Sequence, residues 1–392
     1  MLGADLTCYP TQVGTVPGFD TEDFSRWEYK EFVDSLRALF AASVNPLQVA
    51  RDAAREHGAE FHIMIRPGAW QGTAALEEVF NSRFFQKHPE WRCVDRDGTP
   101  TFYMSYAVPE VQQQVLDILR EALTVEPDGV GFMFHRGLPL MLWEDAFSEQ
   151  FQQEYGENAQ AVAEDDPRIY ALRAKIMTGF LRQVRNLLDE VQQGLGREKP
   201  LTISVATFSK QSDNRKYGIA IEQWIDEQLV NDIAVAWFAH HTSFSEPGSS
   251  RPDMTYYRRI TAGKDVGLYP FVICWKPGHR RACVKRSPAI TIKVPQELRS
   301  GIPWLRRDCQ IPPRGPTVSR RASSKPSDCW GTKTMSVGGR RKASPNRSWF
   351  PSPAMAIITT AAGSPTPAFE RAGPCSAAAQ TVSVPLIVAP KI

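Results

Sequence analysis

The chain has 392 residues, 42% of them hydrophobic and 23% charged, with a formal net charge of +3. These values exclude a disordered or fibrous chain and allow one large domain or two. No apolar run is long enough to cross a bilayer, and MLGADLTCYP lacks the basic start and apolar centre of a signal peptide, so the sequence as it stands reads as soluble and cytoplasmic, without a membrane partner.

In chain order, NPLQVARDAAREHG has helical spacing and stops at Gly58, a natural C-terminal cap. AEFHIMIRPGAW then reads as a strand ending in Arg66-Pro67-Gly68, followed by a loop, NSRFFQKHPEWRCVDRDGTP. A helix is expected over 109–123, then a short apolar strand over 130–134 that runs into His135 and Arg136. EDAFSEQFQQEYG reads as a helix. A longer one, DPRIYALRAKIMTGFLRQVRNLLDEVQQGLG, has Asp165 or Asp166 available to cap it and Pro167 suited to its first turn. There follow a strand LTISVATF, a helix AIEQWIDEQLV, a strand DIAVAWFAHHT, a polar loop, a helix DMTYYRRITAG and a strand DVGLYPFVICWK.

Five strands alternating with helices imply parallel βαβ units, which close either as an open doubly wound sheet or as an eight-stranded barrel. No GxGxxG or P-loop follows any strand, against the nucleotide-binding form of the open sheet. Polar and aromatic residues gather instead at the C-terminal ends of the strands: Arg66 and Trp70, His135 and Arg136, Thr207, His240 and His241, Trp275 and Lys276. A (β/α)8 TIM barrel keeps its site there, so the expected class is α/β, a TIM barrel.

The segments NSRFFQKHPEWRCVDRDGTP, SYAVPEVQQQVLDILREAL, GVGFMFHRGLPLMLWEDAF and EQFQQEYGENAQAVAEDDPR together resemble bacterial family 10-like glycosyl hydrolases, over about residues 5–286. The resemblance implies a TIM barrel and a carbohydrate-related hydrolase, and by its pattern this barrel is incomplete, missing its first strand or strands and its last. The expected division is a barrel domain over 1–286 and a tail over 287–392. That tail holds 15 Lys and Arg against 4 Asp and Glu, and half of the chain's 30 prolines. Such a composition reads as a disordered segment, or as the product of an altered reading frame in a GC-rich message.

Glycoside hydrolysis normally uses two carboxyl groups flanking the scissile bond. The strand ends here are poor in them, and Glu144, beside Trp143 and an apolar stretch, is the candidate proton donor. Glu144 and Asp145 equally suit a helix N-terminus. His135 and Arg136 are candidate substrate-positioning groups, with Arg66, His240, His241 and Lys276 beside them; Trp70, Trp143, Trp237 and Trp275 offer flat faces to sugar rings, Trp237 reading rather as core because it lies mid-strand. Asp95 and Asp97 in VDRDGTP read as a turn rather than a calcium loop. Seven isolated cysteines without a CxxC pair argue against a disulfide framework or a cysteine-built zinc site. No metal, cofactor or nucleic-acid partner is expected. The functional expectation is a glycosidase-like hydrolase, inactive as encoded if a second carboxylate is missing, and the alternative is a non-catalytic glycan-binding barrel.

Overall fold

The computed structural model describes residues 3–72, 76–236 and 254–270. His240, His241, Trp275, Lys276 and the 287–392 segment lie outside these, as does Trp237. Five parallel strands form one sheet: β1 His62–Ile65, β4 Gly129–Met133, β5 Thr202–Phe208, β6 Asp232–Ala236 and β7 Gly267–Pro270. A separate antiparallel pair, β2 Arg92–Val94 and β3 Pro100–Met104, begins in the stretch expected to be loop and runs on past it. The helices are α1 Trp27–Ala41, α2 Pro46–Glu56, α3 Arg83–Lys87, α4 Pro109–Ala122, α5 Asp145–Tyr155, α6 Pro167–Leu195, α7 Gln211–Lys216, α8 Ile221–Asp226 and α9 Met254–Thr261.

The sheet runs β1-β4-β5-β6-β7, so each parallel strand in the chain is laid beside the one before it. A doubly wound sheet reverses direction at a switch point and this one does not. The winding is compatible with a barrel-like fold. Five parallel strands among the described residues are the five read from the sequence, and a complete (β/α)8 barrel is not shown.

Alternation along the strands sorts the two faces of the sheet. Ile63, Ile65, Val130, Phe132, Ile203, Val205, Ile233 and Val235 point into the main core, with α4 and α6 packed on it through Val111, Val115, Leu119, Met177, Phe180 and Val184. The other face carries a smaller cluster of Met64, Met133 and Ala206. Gly131 belongs to that face for a packing reason: a Cβ there would lie 2.7 Å from the Met64 Cε.

Local signals explain the element ends. Asp166 accepts the Arg168 backbone N–H at 2.8 Å and caps α6, and Gly196 closes it in the left-handed conformation at φ +61. Asp97 accepts the Thr99 N–H at 2.9 Å across the β2–β3 turn, where Gly98 sits at φ +87, so Asp95 and Asp97 do form a turn. Among the described residues no helix is long and apolar enough to cross a membrane, and no group of three or more His, Cys, Asp or Glu is placed to hold a metal ion.

Candidate functional site

Because the strands are parallel, the residues that follow them meet at one edge. Arg66 follows β1 directly, and His135 and Arg136 follow β4; Ile65 pairs with Phe132, so the two exits lie side by side. The loops after them touch through backbone. A Cβ on Gly68 would fall 1.4 Å from the Gly137 carbonyl oxygen, and Gly137 itself adopts φ +77. Only glycine allows that approach. Tyr106 fastens the pair by donating its hydroxyl to the Pro67 carbonyl at 3.0 Å and its N–H to the Leu140 carbonyl at 2.8 Å.

Electrostatics mark this edge as cationic. Burial pushes the Arg66 guanidinium down to about 10, and the charge of Arg136 adds to the shift. Burial likewise lowers Arg136, which nevertheless leaves its side chain exposed. His135 is enclosed, and burial first, then the Arg136 charge, holds its ring down to about 3. It is therefore a neutral imidazole behind the arginines. Among the described residues neither Arg66 nor Arg136 has a carboxylate in ion-pair contact, and the buried Arg66 Nε has no hydrogen-bond partner.

Two phenols that the sequence reading did not single out belong to the same edge. Tyr103, on β3, is half-buried and close enough to Arg66 and Tyr217 for their charges to act on it, while burial raises its hydroxyl. Tyr217 follows α7, is half-buried, and stacks on Phe208 with ring centroids 5.4 Å apart. The available signal was position: each lies in a connection that leaves the C-terminal end of a parallel strand.

Other expected site residues stand elsewhere. Trp70 is fully buried and packs on Phe84 at 5.5 Å. Trp143 is also enclosed, with the guanidinium of Arg96 4.6 Å and that of Arg173 6.0 Å from its ring centroid. Both were expected to offer a face to a sugar. This is corrected by their burial, since the loops around them fold the indoles inward where they bury the most apolar surface. Thr207 lies at the end of β5, but its hydroxyl is turned to the Tyr257 hydroxyl at 2.9 Å in a buried group that includes Asn214.

Glu144 sits at the N-cap of α5, yet its carboxylate does not cap that helix. It turns back to accept the Leu142 N–H at 2.9 Å, the Val94 N–H at 3.3 Å and the Ser105 hydroxyl. Burial raises its pKa while those donors pull it down, and Arg173 from α6 acts on it as a nearby cation. With 4% of its surface exposed, this carboxyl joins β2, the loop after β3 and the start of α5.

No family model matches the sequence, and no curated protein is similar to it. Solved structures that resemble the chain include a protein assigned as a sporulation-specific glycosylase from Bacillus subtilis, at 16% identity over 59% of this chain and 60% of that one, TM-score 0.30. Another is the C-terminal domain of a protein assigned as a chitinase from Desulfitobacterium hafniense DCB-2, at 13% identity over 62% of each chain, TM-score 0.27. The chain thus spans about three fifths of the length of the solved structures it resembles.

Proposed function

We propose that this chain is a glycan-binding α/β scaffold of the glycoside-hydrolase-like kind, with the C-terminal edge of its parallel sheet as the binding face. The observation that carries the reading is the convergence of Arg66, Tyr103, Arg136 and Tyr217 on that edge, two guanidinium groups beside two half-buried phenols. Guanidinium donors orient hydroxyl and oxyanion groups, and phenol rings supply apolar faces with a polar rim, which is the mixture a sugar ring presents in return. The resemblance of residues 5–286 to family 10-like glycosyl hydrolases supports the carbohydrate part.

Binding is favoured over hydrolysis by the state of Glu144, whose carboxyl is enclosed and held by three donors. A hydrolase with Glu144 as proton donor is the second reading, and its one favouring observation is the raised carboxyl, which keeps a proton to higher pH than an exposed glutamate would. The test is to incubate the full chain with a panel of oligosaccharides and follow both retention and release of reducing ends. The expected result is retention without release. Release of reducing ends that Glu144→Gln abolishes would establish the hydrolase instead, and a chain that retains no saccharide at all would refute both.

A further inference from the structure

Resting on the glycan reading above, we infer that the ligand of this edge is an anionic sugar, one whose carboxylate or sulfate is taken between Arg66 and Arg136. The two side chains follow the C-terminal ends of neighbouring parallel strands, Arg66 directly after β1 and Arg136 three residues after β4, and the Gly68–Gly137 backbone contact fixes how close their loops stand. Like charges brought together in this way repel, and burial of Arg66 reduces the solvent that would screen them. Arginines elsewhere in this chain close ion pairs, as Arg168 does with Asp166 at 2.8 Å and Arg182 with Glu227 at 2.7 Å, both from α6. Among the described residues Arg66 and Arg136 have no such acid.

Three features direct these guanidinium groups outward rather than to a core group. The Arg66 Nε is buried, so the stem is fixed and the terminal nitrogens carry the remaining donors. Arg136 is exposed, so a solvent-borne ligand reaches it without opening the fold. His135 beneath them is held neutral, so it adds no third charge to the site at physiological pH. An oxyanion bound here offsets the repulsion and receives planar, fork-like hydrogen bonds from two directions, while Tyr103 and Tyr217 flank the ring that bears it. A neutral sugar receives the phenol contacts and single hydrogen bonds and leaves the repulsion in place.

The test uses the full 392-residue chain and three monosaccharide probes: glucuronate, glucose 6-sulfate and glucose. Each is titrated at low salt and again at high salt by ligand-observed NMR. The expected result is that at least one anionic probe binds about tenfold or more tighter than glucose, the scale of one added hydrogen bond to a charged group, and that this preference shrinks in high salt. The carboxylate and sulfate arms identify which oxyanion is preferred. Arg136→Gln, at an exposed position that leaves the fold intact, is expected to remove the preference, and Arg66→Lys to weaken it while keeping the charge. Equal binding of glucose and both anionic probes, unchanged by Arg136→Gln, would overturn the inference and leave the glycan reading standing. Binding of none of the three would overturn the inference, and the panel of neutral oligosaccharides then decides the glycan reading separately.

Discussion

The carboxyl of Glu144 and the imidazole of His135 are both enclosed, and they respond to pH with opposite signs. For His135 the folded value, about 3, lies below the 6.5 of a free imidazole. As pH falls from 6.5 towards 3 the unfolded chain takes up a proton that the folded chain refuses, so stability is present above that window and is lost through it, at up to about 1.4 kcal/mol per pH unit. His135→Gln is expected to flatten this slope, as read from denaturant midpoints between pH 7 and pH 4. Glu144 is raised, so its contribution is present below the value of a free glutamate and is lost as pH rises through the folded value. Glu144→Gln places an amide N–H₂ against backbone donors that now meet a carboxylate. The expected cost at pH 7 is about 1–3 kcal/mol, from Leu142 or Val94 left without an acceptor. Unchanged stability in that variant would mean that the carboxyl is not holding β2 to α5.

At the scale of elements, the two loops that carry the arginines depend on glycine at the point where they touch. Gly68→Ala puts a methyl where the Gly137 carbonyl stands, and that clash is relieved only by moving backbone. The expected loss is about 3 kcal/mol or more, in the range of severe overpacking, together with loss of saccharide binding because the guanidinium groups separate. Thermal melting and the glucuronate titration check the two parts. Gly156→Ala is the control, because that site also has positive φ but nothing within 4 Å of a Cβ. A second element depends on one hydroxyl. Tyr257 ties α9 to the end of β5 through Thr207, Asn214 and the Phe208 carbonyl. Tyr257→Phe leaves these buried groups short of a partner, and about 1–3 kcal/mol is the expected loss in the same melting experiment.

Across the whole molecule, what could be read from sequence was what periodicity encodes. Strands buried on both faces, such as Val130–Gly131–Phe132 and Ile203–Ser204–Val205, announce themselves as short apolar blocks between helices with ordinary caps. The β2–β3 hairpin was missed because Arg92, Val94, Thr101 and Tyr103 are only part-buried and its turn carries two aspartates, so alternation is weak. The candidate site was legible as an edge to the extent that Arg66, His135 and Arg136 follow strands. It was not legible in its members: whether an indole such as Trp70 faces a ligand or the core depends on where a loop folds back, which no local pattern specifies. Closure is the remaining question of architecture, and the hydrogen-bond ladder gives it a measurable form. In the order β1-β4-β5-β6-β7, strand β5 is paired on both sides, with Val205 opposite Phe132 and Ile233, whereas among the described residues β1 and β7 are each paired in this sheet on one side. Amides of a doubly paired central strand exchange only through global opening, while those of an edge also exchange through local fraying. In native-state hydrogen exchange, a sheet open at β1 and β7 leaves Val205 and Ala206 at least about tenfold slower than Ile63 and Leu268. Equal protection at β1, β5 and β7 would show instead that the two edges are joined by further strands into a closed barrel.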